Sequence, residues 1–119
     1  MKRRMLVVGI VLLWMLVSIV PLGADPTVKD YVRYKETQTF AIYITGVGDG
    51  FLWANAELIT RKQKPLYCQP GKLTLQADNY LEILDRKMKD HEFVEHIPSY
   101  FPLARVLLEA LQETFLCDK

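Results

Sequence analysis

Cysteine and serine are scarce in this chain of 119 residues. It has two cysteines, Cys68 and Cys117, and Ser99 is its only serine after residue 24. Nucleophilic catalysis needs a Ser, Cys or Thr beside a base and an orienting acid, and this composition offers few such groups. The Gly-Val-Gly-Asp-Gly stretch at 46–50 lacks the GxGxxG spacing of a phosphate-binding loop. We therefore expect a protein that is not an enzyme and that needs no cofactor.

A large excess of basic residues is also missing. The chain holds 15 Lys and Arg against 14 Asp and Glu, and Lys2, Arg3 and Arg4 are among the basic residues. Without its first 24 residues the chain would therefore be slightly acidic. Domains that bind nucleic acid electrostatically usually carry a basic excess, so we expect no nucleic-acid partner.

The longest apolar run stands at the N-terminus. Three basic residues precede an apolar run at 5–20, and Pro-Leu-Gly-Ala follows at 21–24. This order is typical of a secretory signal peptide. It predicts a signal peptide at 1–24, cleavage before Asp25 and one exported, periplasmic domain at 25–119. The alternative is an uncleaved inner-membrane anchor at 5–20, although these 16 residues fall short of the roughly 20 that span a bilayer.

The two cysteines suit a disulfide. An even number of cysteines in an exported chain usually marks a disulfide rather than a metal site or a thiol nucleophile. We expect a bond between Cys68 and Cys117 that stabilises the fold by about 4 kcal/mol, chiefly by restricting the unfolded chain. A catalytic thiol at Cys68 beside His91 or His96 is the weakest alternative.

Apolar residues recur with helical spacing, and no alternating strand pattern with hairpin turns is present. We therefore predict an all-α fold, a small single-domain bundle of about four helices with one disulfide. The predicted helices run from Thr27 to about Lys35, from Thr37 to Arg61, from Leu75 to about Lys89, and from Ser99 to just before Cys117. Their expected N-caps include Thr27, Thr74 and Ser99, and Pro102 is expected in the first turn of the last helix.

Three small residues, Gly46, Gly50 and Ala54, lie four apart on one face of the predicted long helix. Each glycine in a helix interior costs about 1 kcal/mol relative to Ala, so a packing interaction should offset this loss. We predict that another helix or an aromatic ring approaches this face closely.

The stretch from Asp90 to Ser99 breaks the helical periodicity and holds both histidines, in the order His-Glu-Phe-Val-Glu-His. This order does not match the HExxH motif of zinc proteases or its inverted form. On a helix, residues 91 and 96 would point about 140° apart. We therefore predict an exposed polar loop and no metal site.

Four blocks of residues occur in a characteristic order and spacing. They are Tyr43, Gly46, Val47, Asp49 and Gly50; Cys68, Pro70 and Thr74; Tyr80 and Leu81; and Ala104, Leu107, Ala110, Leu111, Phe115 and Cys117. From about Phe40 to Cys117 the chain resembles the Rap/Tai family of type VI secretion amidase immunity proteins. It departs from the family in the Glu-Phe-Val-Glu stretch at 92–95 and in lacking a further cysteine pair near the first two helices.

The resemblance implies a small helical periplasmic protein that binds a secreted peptidoglycan amidase and blocks its active site. It also implies a homodimer as an alternative to a monomer. Because the sequence at 90–100 is irregular, charged and partly aromatic, we expect partner contacts there. The expected partner-binding residues are His91, Glu92, Phe93, Glu95, His96 and Tyr100. The alternative function is a structural or adaptor protein of the envelope on the same scaffold, without the immunity role.

Overall fold

The computed structural model describes residues 25–117, and every regular element in that range is a helix. The helices are α1 (Val28–Tyr34), α2 (Gln38–Thr60), α3 (Ala77–Met88), α4 (His91–His96) and α5 (Leu103–Thr114). This confirms the predicted all-α class. The predicted signal peptide at 1–24 lies outside the described residues. None of the described helices is long and apolar enough to cross a membrane.

The first two helices begin at the residues that the sequence indicates. Before α1, the backbone N–H and the hydroxyl of Thr27 donate to Asp30 Oδ2 at 3.0 and 2.8 Å. These two hydrogen bonds hold the pKa of the Asp30 carboxyl below its usual value. Before α2, Thr37 Oγ1 accepts from the Phe40 N–H at 3.2 Å. The Asp30 carboxylate and the Thr37 hydroxyl therefore each accept from an N–H group at the start of a helix, where such groups lack partners within the helix.

The core lies where α2, α3 and α5 pack against one another. Each helix contributes side chains that are fully buried, including Ile44 from α2, Leu84 from α3 and Leu107 from α5. The short α1 adds Tyr31, whose ring packs edge-on against Phe40 of α2. The Tyr31 hydroxyl donates a hydrogen bond to Asp85 of α3. These contacts fix α1 to the bundle despite its seven residues.

The glycine prediction is wrong in its choice of face. Gly48 is the glycine that another helix approaches, because a Cβ there would lie 2.5 Å from Cε1 of the Tyr80 ring. At Gly46 and Gly50 an added Cβ would meet no atom within 4 Å. A row of small residues four apart fits an open face as well as a packed one, so the spacing alone did not decide between them.

α2 ends in a Schellman motif whose left-handed position is occupied by a lysine. Lys62 has φ of 56°. Its N–H donates to the Ile59 carbonyl at 2.9 Å, and the Gln63 N–H donates to the Leu58 carbonyl at 2.8 Å. Glycine is the usual residue at this position because it has no Cβ to clash.

α3 and α5 begin later than predicted. A turn closed by the Leu73 N–H and the Pro70 carbonyl is followed by irregular chain up to Gln76, so Thr74 caps no helix. α3 therefore starts at Ala77, where Asn79 Oδ1 accepts from the Gln76 N–H at 2.8 Å. Ser99 does not cap α5, because it lies in the turn before Phe101 and its carbonyl accepts from the Lys29 N–H at 3.0 Å. Pro102 accordingly takes the N-cap position rather than a place in the first turn.

Candidate functional site

The predicted disulfide is confirmed. Cys68 and Cys117 are bonded, with their Cα atoms 4.9 Å apart. The Cys68 N–H also donates to the Phe115 carbonyl at 2.8 Å. The bond therefore ties the connection between α2 and α3 to the residues that follow α5, which is a structural role.

A buried asparagine holds the same connection from the side of α2. Asn55 Nδ2 donates to the Tyr67 carbonyl at 2.7 Å, and Asn55 Oδ1 accepts from the Leu66 N–H at 2.6 Å. Without Asn55, neither backbone group would have a hydrogen-bond partner among the described residues, and an unpaired group in such a fully or partly buried place is costly. The Tyr67 side chain is fully buried and lies 6.2 Å, centroid to centroid, from the Phe115 ring.

The six predicted partner-binding residues lie on a short helix and the turn after it. The polar loop predicted for Asp90 to Ser99 is wrong in part, because residues 91–96 form α4. Asp90 Oδ1 accepts from the Phe93 N–H at 3.3 Å and caps this helix. A helix of six residues is too short to show apolar periodicity, so the sequence pattern could not reveal it. His91, Glu92, Glu95 and His96 are exposed on it.

Phe93 faces the protein's own core. It is partly buried, and Lys87 Nζ of α3 lies 4.0 Å from its ring centroid. Lys87 is only 9% exposed and forms an ion pair of 2.6 Å with Glu113 of α5. A cation above the face of an aromatic ring is attracted to the ring, and the attraction is stronger when water is excluded. Phe93 thus anchors α4 to α3 and is less open to a partner than the other five residues.

Tyr100 is the exposed aromatic residue of this region, with 72% of its surface accessible. It stands in a turn closed by the Phe101 N–H and the Pro98 carbonyl at 2.9 Å. Backbone bonds to the segment before and within α1 hold the turn, including that from the Val28 N–H to the Phe101 carbonyl at 2.9 Å. Tyr100 is therefore presented by a fixed backbone rather than by a mobile loop.

The two histidines lie at the two ends of α4. Within residues 25–117, no three His, Cys, Asp or Glu side chains are grouped to hold a metal ion. His96 Nδ1 lies 2.6 Å from the Glu92 carbonyl oxygen. Since a carbonyl only accepts, Nδ1 carries the proton, and Nε2 of a neutral His96 remains an acceptor.

We name the surface formed by α4 and Tyr100 the α4 surface. Between residues 90 and 101 it carries Asp90, Glu92 and Glu95 and no Lys or Arg. It offers carboxylates, two imidazoles and one exposed phenol around a rigid turn. The carboxylates can accept hydrogen bonds or pair with cations, and the phenol adds both apolar area and a hydrogen-bonding group.

Two polar contacts, those of Lys87 and of Asp85, are not among the features predicted from the sequence. Lys87 follows Tyr80 by seven residues and Leu84 by three, so helical spacing places it on the buried face of α3. That spacing was the available signal. Asp85 accepts from Lys89 Nζ at 2.5 Å and from the Tyr31 hydroxyl, and these bonds lower the pKa of its carboxyl. The Tyr31–Asp85 contact joins α1 to α3, and no local pattern reveals it.

Comparison with the models of known protein families, with curated proteins and with solved structures finds no match to this chain. The resemblance to the Rap/Tai family therefore stays a prediction.

Proposed function

We propose that this protein is a periplasmic, non-enzymatic immunity protein that binds a type VI secreted peptidoglycan amidase and covers its active site. The observation that carries the proposal is the small helical scaffold closed by the Cys68–Cys117 disulfide. It is the arrangement that the family resemblance implies. The export signal predicted at 1–24 supports the location.

The α4 surface supplies the contact to the amidase. Binding energy in protein interfaces concentrates in a few aromatic or Arg anchors surrounded by weaker contacts. Tyr100 is such an anchor, because it is exposed and its backbone is fixed before binding. His91, Glu92, Glu95 and His96 surround it as polar contacts. Phe93 supports them from below through its packing against Lys87.

The test uses the amidase encoded beside this protein's gene. We expect the purified exported protein to bind that amidase in calorimetry, to inhibit peptidoglycan cleavage and to protect cells that export both proteins. Tyr100→Ala should weaken binding by about tenfold or more. Tyr34→Ala is the matched control, since Tyr34 is also an exposed tyrosine but lies on α1. Absence of both binding and protection would remove the proposal.

The alternative is a structural or adaptor protein retained on the inner membrane by residues 5–20. The apolar run in that segment is the observation that favours it. An intact N-terminus in membrane fractions, together with no amidase binding, would support this second function.

A further inference from the structure

A groove lies between the C-terminal half of α2 and the connection that follows it. It encloses about 450 Å³. We name it the α2 groove, and its lining includes Leu52, Ala56, Ile59, Pro65, Pro70 and Leu73. The side chains of Ile59 and Leu73 are 60% and 43% exposed. Exposed apolar side chains that line a recess are typical of a binding surface rather than of ordinary solvated surface.

The backbone of the groove is fixed from two sides. Cys68 and Tyr67 line it, the first held by its disulfide to Cys117 and the second by the hydrogen bond from Asn55. Gln69 Nε2 also donates to the Leu73 carbonyl at 2.5 Å. Because these contacts form the groove before any partner arrives, a ligand would bind without first ordering the connection.

The groove is bordered by positive charges that no described carboxylate pairs. The connection from 61 to 76, which we name the basic connection, holds four basic residues and none of the chain's 14 acidic residues. Arg61 pairs with Glu57 at 2.6 Å. Lys62, Lys64 and Lys72 are exposed, and none of them forms an ion pair with a described carboxylate. Lys64 precedes the lining residue Pro65, and Lys72 stands between two lining residues.

We propose that the α2 groove binds an acidic segment of a partner protein, which inserts one or two apolar side chains between Ile59 and Leu73. Carboxylates that flank those side chains would pair with Lys62, Lys64 and Lys72. Complementary charge of this kind selects the partner and speeds its approach. The proposal does not rest on the amidase, since the groove shares no residue with the α4 surface.

The shape of the site favours a protein segment over a lipid surface. A recess receives a protruding side chain, whereas a bilayer presents a broad surface that needs exposed apolar groups standing outward. The charge also argues for an acidic peptide rather than a second copy of the groove, because two basic connections would repel each other.

The test measures binding of labelled synthetic peptides to the exported protein by fluorescence polarisation. The probe is a Glu-rich peptide with two leucines one helical turn apart, and its two counterparts carry Gln or Lys in place of Glu. We expect the Glu peptide to bind at least about tenfold more tightly than the Gln peptide, with an affinity that falls as salt rises. The Lys peptide should not bind.

Variants locate the site. Leu73→Asp should weaken binding of the Glu peptide by about tenfold or more. The double variant Lys64→Glu with Lys72→Glu should weaken it by a similar factor. Val32→Asp and Lys29→Glu are the matched controls, because Val32 is 78% exposed and both residues lie on α1. Ile59→Asp repeats the test on the helix side. Circular dichroism of each variant checks whether the fold is retained.

Four results would overturn the proposal. They are equal binding of the three peptides, unchanged binding by the groove variants, and no binding of the Glu peptide at millimolar concentration. The fourth is protection of Leu73 by anionic vesicles or by a second copy of the chain, seen by sedimentation and amide exchange, without peptide binding. Failure of the amidase test leaves these outcomes unaffected, so the two proposals are distinguishable.

Discussion

The basic connection and the acidic connection, which we define as residues 90–102, both join helices of one core, yet they are built differently. The basic connection carries four cations and is fixed by a disulfide and a buried Asn55. The acidic connection carries three carboxylates and no Lys or Arg. It is fixed by backbone bonds to the segment around Thr27 and by the Lys87–Phe93 contact.

One small core thus presents two surfaces of opposite charge, each held in place by its own contacts. Neither connection relies on regular helical packing along its whole length. The basic connection is held by a disulfide and by Asn55, whereas the acidic connection is held by non-covalent contacts alone. Substitutions that remove these contacts one at a time measure how much each contributes to the free energy of unfolding.

The largest effect is expected from the disulfide. Replacing Cys68 and Cys117 together by Ser should lower the free energy of unfolding by about 4 kcal/mol, because the unfolded chain regains the freedom of a long loop. Urea unfolding followed by circular dichroism measures the loss, and the reduced natural protein is the control. A loss below about 1 kcal/mol would show that local contacts hold the basic connection.

Asn55→Ala should follow, with a loss of about 2 to 3 kcal/mol. The substitution leaves the Leu66 N–H and the Tyr67 carbonyl without their amide partner. Gln69→Ala provides the comparison, since Gln69 bonds the Leu73 carbonyl at the surface and its loss should cost under about 1 kcal/mol. Equal losses in the same urea measurement would contradict a special role for Asn55.

Gly48 and Gly50 of α2 provide a paired test of how tightly α2 packs against α3. In Gly48→Ala the new methyl group would meet the buried Tyr80 ring, so we expect a net loss of about 1 to 2 kcal/mol despite the gain in helix propensity. In Gly50→Ala the methyl group meets open space, and stability should rise by up to about 1 kcal/mol. Thermal unfolding of the two variants should therefore move in opposite directions. The same sign in both would show that the Tyr80 ring moves aside.

On the acidic connection, Phe93→Leu should cost about 1 kcal/mol by removing the ring below Lys87 while keeping an apolar side chain. Amide hydrogen exchange should rise within α4 more than in α2. Phe93→Tyr keeps the ring and should show little change in exchange. If the Leu variant protects α4 as well as the Tyr variant does, the contact with Lys87 is not what fixes this helix.

The smallest expected effect is a gain. Lys62→Gly relieves the left-handed conformation at the end of α2 and should raise stability by up to about 1 kcal/mol. Lys64→Gly, next to the same helix end but without a positive φ, should give no such gain. Melting temperatures of the two variants provide the measurement. A gain in both would point to loss of charge repulsion within the basic connection instead.

Most of the fold was predictable because its signals are local. Thr27 and Thr37 precede α1 and α2, and the apolar spacing through Phe40 and Ile44 marks the buried face of α2. The disulfide is predicted from an even number of cysteines together with the predicted export signal. Apolar spacing also predicts α3 and α5, although it places the start of each helix too early.

The errors arose where distant residues decide the outcome. Gly48 is close to Tyr80 only because α2 and α3 pack together, which spacing within α2 does not show. The Ser99 carbonyl accepts from the N–H of Lys29, a residue from the other end of the described chain, so Ser99 stays in the turn before α5. The position of Phe93 depends on Lys87 in the same way, so its inward orientation was not visible in the sequence.

The bonds between the segment around Thr27 and the segment around Phe101 also constrain the order of folding. They join nearly opposite ends of the described chain, through the Val28, Lys29 and Leu103 N–H groups. Contacts of such long sequence separation form late, because the intervening chain must first be brought together. While the protein is being synthesised, the residues around Thr27 can complete these backbone bonds only after Leu103 has emerged. The segment that begins the domain is therefore secured only late, when most of the domain has been made.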